Sequence, residues 1–178
     1  IINKIIQPTL NAIQNMGEKY VGFLYAGLMI SKNEPYLVEY NVRMGDPECQ
    51  TILPLLKTDF VDICMSCCDG NLSNLKIEWK NEKSLCIVLC SKGYPDKFKK
   101  NILLKNINSI KLDHNKLIYH ASTQIKNNEI VSSGGRVLNF VGISPSYKTS
   151  REIVINLIKQ LNWENGFYRK DIGYKVID

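Results

Sequence analysis

Apolar residues at Ile2, Ile5, Ile6, Leu10 and Ile13 recur near the helical period, so an amphipathic helix is expected over residues 1–16. Pro8 either kinks that helix or marks its real start, and Gly17 closes it. The next apolar run, Val21 to Ile30, reads as a buried strand in which Ala26 and Gly27 allow close packing. Ser31-Lys32-Asn33-Glu34 is a turn and Pro35 to Asn41 a second strand, so 21–41 should form a β-hairpin. Asp46-Pro47-Glu48 has the order of a helix start, with Asp as cap, Pro first in the helix and Glu in the first turn. That helix must bend or stop near Pro54. Asp59 is expected to cap another helix, with Phe60, Ile63, Cys64 and Cys67 on one face and Gly70 at its end.

Polar residues 71–83 follow and form the candidate boundary between a first part, 1–80, and a second, 81–178. The second part reads as β-rich. Strands are expected at Ser84–Ser91, Leu117–Ile125, Glu129–Ser132 and Arg136–Ile143, with turns at Asn127-Asn128 and Ser133-Gly134-Gly135. Val154, Leu157, Ile158 and Leu161 then mark one helix. The tail, Phe167 to Gly173, is aromatic and charged and should dock back. The fold class is α+β.

Composition narrows the function. With 44% hydrophobic and 22% charged residues in 178, the chain suits one or two small globular domains rather than disorder. No apolar run approaches the roughly 18–20 residues of a membrane helix, so no membrane partner is expected. The start lacks an initiator Met and a readable signal peptide and resembles the middle of a helix, so a fragment of a longer protein is expected. The six cysteines read as reduced and mostly buried, which favours a cytoplasmic location. Cys64-x2-Cys67 with Cys86-x3-Cys90 could suggest zinc, but the first pair lies on a helical apolar stripe and the second alternates with strand aliphatics.

The net charge of +6 invites a nucleic-acid reading. Yet Ile, Asn and Lys number 22, 18 and 19, the pattern of A/T-rich codon bias, and the basic residues are scattered. No nucleic-acid partner is expected. The scarce arginines, Arg43, Arg136, Arg151 and Arg169, then stand out as places where a multi-donor guanidinium matters.

The sharpest chemistry lies in Glu39-Tyr40-Asn41-Val42-Arg43-Met44-Gly45-Asp46. Strand alternation would point Glu39, Asn41 and Arg43 one way. A carboxylate beside an amide oxygen is a hard donor pair that suits Mg²⁺ or Mn²⁺ held with nucleotide phosphates. Arg43 could neutralise a transferring phosphoryl group, Gly45 lets the chain turn, and the helix start at Asp46–Cys49 offers N–H groups to an anion. A polar strand end facing solvent is the plainer alternative. Elsewhere, His120 reads as a buried structural histidine, His114 and Lys97–Lys100 as solvated, and Ser133–Arg136 as a tight turn rather than a phosphate cradle.

Several strings together resemble one family. Gly22-Phe23-Leu24-Tyr25-Ala26-Gly27-Leu28-Met29 and Glu39 to Glu48 are similar to the phosphoribosylamine–glycine ligases, also called glycinamide ribonucleotide synthetases, of the ATP-grasp superfamily. Leu53 to Asp59, Gly93-Tyr94-Pro95, His120 to Thr123, Gly134 to Leu138 and Arg169 to Gly173 extend the resemblance over essentially the whole chain. It implies the back of an ATP-grasp domain, an antiparallel sheet with helices, followed by a small β-rich C-terminal domain. Family members are more than twice this long, so the N-terminal half of the same enzyme would be the partner, without which this chain is inactive. ATP, glycine and 5-phosphoribosylamine would be the substrates. Glu39 and Asn41 match metal ligands, Arg43 the residue stabilising the acyl phosphate, and Gly45 and Asp46 the substrate site. Ser122 stands where the family usually has Gly, and Met44 where Phe is common. A biotin-dependent type of ATP-grasp carboxylase also carries E-x-N-x-R but lacks the Gly45–Glu48 continuation; a non-catalytic nucleotide- or protein-binding module is the other rival.

Overall fold

The computed structural model describes residues 1–177, which divide into two compact units, one of 1–49 and 56–79 and one of 50–55 and 80 onward. In the first unit a π-helical turn over Ile2–Ile6 runs into α1, Gln7–Asn15. Pro8 lies in the first turn of α1, and because the path is already helical from Ile2 it marks the point where the π-helical turn gives way to α-helix.

Strands β1 (Tyr25–Ser31) and β2 (Glu34–Asn41) pair antiparallel from Tyr25↔Asn41 to Ser31↔Glu34. Lys32 and Asn33, with φ of 50° and 62°, supply the left-handed pair that a two-residue hairpin turn needs. The register shifts after Gly27↔Glu39, so Val38 is the extra residue of a bulge. β1 starts four residues later than its apolar run, and it is not buried: Met29 and Ile30 are 59% and 58% exposed. The run carries strand propensity along its whole length, but Ile5 is the one buried apolar residue among the described residues of this unit.

Asp46 and Pro47 form a turn ahead of α2, which spans only Glu48–Ile52 and passes into a 3₁₀ turn over Leu53–Leu55. The helix therefore begins after Pro47, not at it, and is too short to present an anion site; its end at Pro54 is as expected. α3, Phe60–Cys68, is capped as its sequence predicts: Asp59 Oδ1 accepts from the Val61 amide at 2.7 Å. Phe60 stacks on Phe23 at 5.9 Å, and Gly70 (φ +68°) ends the segment.

The second unit holds the core. Its antiparallel sheet has the order β4-β7-β3-β8, with β3 Lys83–Ser91, β4 Lys116–His120, β7 Arg136–Ser144 and β8 Gly166–Phe167. A separate hairpin joins β5 (Thr123–Lys126) to β6 (Glu129–Ser132) through left-handed Asn127 and Asn128. The run Leu117–Ile125 is thus two strands in two sheets. Ala121 and Ser122 both donate to Val137 O, which breaks the ladder within the run.

α4, Tyr147–Leu161, buries Val154, Leu157, Ile158 and Leu161 against Ile87, Leu89, Leu138 and Phe140. The tail docks back: Arg151 donates Nε to Ile172 O at 3.0 Å and Nη2 to Lys170 O at 2.5 Å. Gly134 and Gly135 do not adopt positive φ; they are close-approach positions, where a Cβ would lie 2.7 Å from Ser122 and 2.1 Å from Tyr94. Their carbonyls accept from Ser91, so the loop is a packed turn. Ser122 sits at negative φ, which removes any need for Gly there. Of the cysteines, all free, only Cys86 and Cys90 are buried, so "mostly buried" does not hold: Cys68 on α3 is exposed.

Candidate functional site

The site lies at the end of β2. Tyr40 points to the helix side, where its hydroxyl bonds Thr9 Oγ1 and donates to Ile5 O at 3.3 Å. That anchor fixes the strand's alternation, so Glu39 and Asn41 face the opposite way together. Asn41 Nδ2 donates to Glu39 Oε1 at 3.0 Å, which leaves Glu39 Oε2 and Asn41 Oδ1 as adjacent hard oxygen donors. The cross-strand partners on this face are Tyr25 opposite Asn41 and Gly27 opposite Glu39. A Cβ at Gly27 would lie 3.0 Å from Glu39 Cγ, so the glycine leaves Glu39 its room.

Arg43 is not brought into this alignment. β2 ends at Asn41, residues 42 and 43 form a bend, and Arg43 Nη1 donates to Met44 O at 3.0 Å. Gly45 is buried without positive φ, so its reason is contact rather than turning: a Cβ there would fall 2.2 Å from Glu48 Oε2. Asp46 is exposed in the following turn.

Two residues that the strand pattern does not single out join the site. The Tyr25 hydroxyl donates to Glu48 Oε1 at 3.3 Å. The Tyr25 phenol is held above its ordinary range, first by the Glu48 charge, then by burial and the Glu48 hydrogen bond, with Glu39 adding to it. The phenol therefore stays a donor. Glu48 reads from sequence as a first-turn helix acid; the signal for its other role was the glycine three residues before it.

Among the described residues no three His, Cys, Asp or Glu side chains gather as a metal cage. A cation at Glu39 and Asn41 would draw its remaining ligands from elsewhere, which suits a Mg²⁺-type ion carried with phosphates. His120 bonds Thr123 Oγ1 through Nδ1 at 2.8 Å but is exposed, at the end of β4, so it is structural without being buried.

Comparison with known proteins shows the family. Residues 84–175 match the family described as phosphoribosylglycinamide synthetase, C domain, and residues 1–49 match its ATP-grasp (A) domain. The chain belongs to the phosphoribosylglycinamide synthetase family. The phosphoribosylamine–glycine ligase of Caldanaerobacter subterraneus is 45% identical over 97% of this chain and 41% of that relative. A bifunctional purine biosynthetic protein of Dictyostelium discoideum is 36% identical over 99% of this chain and 23% of its own length. The crystal structure of phosphoribosylamine–glycine ligase from Thermotoga maritima superposes with a TM-score of 0.79 at 32% identity, covering 97% of this chain and 42% of that one. The chain thus spans about two fifths of the length of these two ligases. Membership of this family sets the carboxylase reading aside. The strings Gly22–Met29 and Glu39–Glu48 both fall in the segment matched to the ATP-grasp domain. No helix among the described residues is long and apolar enough to cross a membrane.

Proposed function

We propose that this chain works within a full-length phosphoribosylglycinamide synthetase that joins glycine to 5-phosphoribosylamine at the expense of ATP. The glycine carboxylate oxygen attacks the terminal phosphorus of ATP, giving glycyl phosphate and ADP. The phosphoribosylamine nitrogen then attacks the acyl carbon, phosphate leaves, and glycinamide ribonucleotide forms. The carrying observation is the paired Glu39 carboxylate and Asn41 amide, whose free oxygens form a hard donor set at a strand end. They fit Mg²⁺ or Mn²⁺, which when bound would neutralise the nucleotide phosphates. Arg43, just beyond them, supplies guanidinium donors to the oxygens of the transferring phosphoryl group. Asp46 takes the glycine ammonium, and Gly45, packed under the Glu48 side chain, belongs to the loop that presents it.

Residues 1–80 serve as the end of the ATP-grasp domain and 81–178 as the small C-terminal domain, with the N-terminal half of the enzyme supplying the rest of the nucleotide site. The compartment is the cytoplasm. The test is reconstitution with that upstream half, followed by assay of ADP release. Release that requires both glycine and phosphoribosylamine is the expected result; none from the reconstituted wild type would end the proposal. Glu39→Gln and Asn41→Ala should each lower kcat by at least ~10²-fold, as loss of one preorganised electrostatic contact does. Wild-type rates in both would remove the metal assignment alone.

A further inference from the structure

Between Asn41 and Glu48 the chain leaves β2 and carries Arg43 and Asp46 through an irregular stretch. Such a stretch needs a tether if it is to present charged groups at fixed positions. The Glu48 side chain folds back over it. Its Oε2 occupies the space where a Cβ of residue 45 would stand, 2.2 Å from that position, and Gly45 is buried beneath it. Its Oε1 accepts from the Tyr25 hydroxyl at 3.3 Å. Tyr25 stands directly across the hairpin from Asn41. The backbone closes the same turn, with the Cys49 amide donating to Gly45 O at 2.9 Å.

We infer that Glu48 is a positioning residue: its carboxylate ties the 42–47 segment to Tyr25 on β1, so that the stretch carrying Arg43 and Asp46 keeps one path as it leaves the end of β2. The inference rests on the ligase reading for its kinetic consequence but not for the tether itself. The two Glu48 oxygens reach in different directions, one to the neighbouring strand and one over the loop. A glycine at 45 follows, since any side chain there would evict it. A phenol at 25 follows as well, since it places a donor at that strand end without adding charge.

The test uses the full-length enzyme with Tyr25→Phe, Glu48→Gln, Glu48→Ala, Gly45→Ala and the Gly45→Ala/Glu48→Ala pair. Tyr25→Phe deletes the hydrogen bond without changing shape and should lower kcat/KM for glycine about 3- to 10-fold, the range of one hydrogen bond. Glu48→Ala should cost more, and Glu48→Gln, which keeps one acceptor, should recover part of that loss. Gly45→Ala should fail like Glu48→Ala, and the pair should be no worse than Glu48→Ala alone, because both disrupt one contact. KM for ATP and the Mg²⁺ concentration for half-activation should stay within about 2-fold of wild type, since an interaction that acts on one substrate shows in that substrate's kcat/KM. A shifted Mg²⁺ requirement in Glu48→Gln would make Glu48 a metal ligand and overturn the positioning role. So would wild-type kinetics in Tyr25→Phe and Glu48→Gln. Amide hydrogen exchange over residues 42–47 reads the tether without any activity: faster exchange in Glu48→Ala supports it, and unchanged exchange overturns it. A wild-type enzyme that releases no substrate-dependent ADP sinks the ligase reading and leaves that exchange result to stand by itself.

Discussion

Gly27 separates the demands of folding from those of the site. An alanine there would bring Cβ to 3.0 Å from Glu39 Cγ, a contact that Glu39 must relieve by moving a few tenths of an ångström. Alanine is the better strand residue of the two, and Gly27, although it stands at the register shift, has no positive φ that alanine could not adopt. Gly27→Ala in the full-length enzyme should therefore keep or raise Tm while lowering kcat about tenfold, short of the ~10²-fold that a 1 Å misplacement can cost. A loss of Tm with kcat intact would show that the glycine serves packing instead. The cysteines divide in the same way. Burial pushes the Cys90 thiol above its usual range, with the Arg136 charge pulling weakly the other way, whereas Cys68 is exposed. A higher thiol pKa means less thiolate at mildly alkaline pH. Native labelling at pH 8 should thus modify Cys68 well before Cys90, read by mass spectrometry, and the reverse order would contradict the burial. At this scale the sequence made Glu39 and Asn41 legible, because strand alternation is a two-residue rule. It did not make Glu48 legible, because its contact with Gly45 depends on a turn whose path no periodicity encodes.

Elements follow from local signals where those signals are complete. α4 carries a capping serine, with Ser146 Oγ accepting from the Thr149 amide at 3.2 Å, and its apolar spacing falls on the buried face. α3 carries Asp59, and Asp59→Ala should destabilise by about 1 kcal/mol in chemical denaturation, the usual worth of such a cap. The break between β4 and β5 was not legible, since Leu117 to Ile125 holds no Gly, Pro, Asn or Asp and the strand is split by the long-range acceptor Val137 O. Nor was the docking height of α4 on the sheet. Gly142, in the middle of β7, sets it: a Cβ there would lie 2.3 Å from Ser150 O on α4. Ser150 is itself fully buried and donates to Lys83 O at 2.9 Å, so the helix has little room to retreat. Gly142→Ala should cost ~1–3 kcal/mol, the range of overpacked cores, despite the gain in strand propensity. An unchanged denaturation midpoint would mean that helix and sheet slide freely past each other.

The whole chain sets two kinds of surface against each other. In the second unit Ile87, Leu104, Leu138, Phe140, Val154 and Leu157 are at most 1% exposed, each worth roughly 1.5–3 kcal/mol of burial. In the first, Met29, Tyr36, Leu37, Val38 and Val42 are 41–73% exposed, although their residue types are those of a packed sheet. A hairpin of two strands is marginal in water by itself. The +6 charge does not account for this exposure, because the residues involved are aliphatic and aromatic. The relatives carry more than twice this length, and the reading proposed above gives the extra chain the task of completing the ATP-grasp domain. Hydrogen exchange follows local opening, so it distinguishes the two halves directly. In this chain alone, amides of β3, β7 and α4 should exchange only through global unfolding, while those of β1 and β2 exchange through cheap local opening. In the full-length enzyme the β1 and β2 amides should slow by at least ~100-fold, about 2.7 kcal/mol of added local stability, whereas β7 should change little. Equal protection of β1 and β7 in the chain alone would mean that the hairpin needs no further cover, and the proposed place of the upstream half would have to be given up.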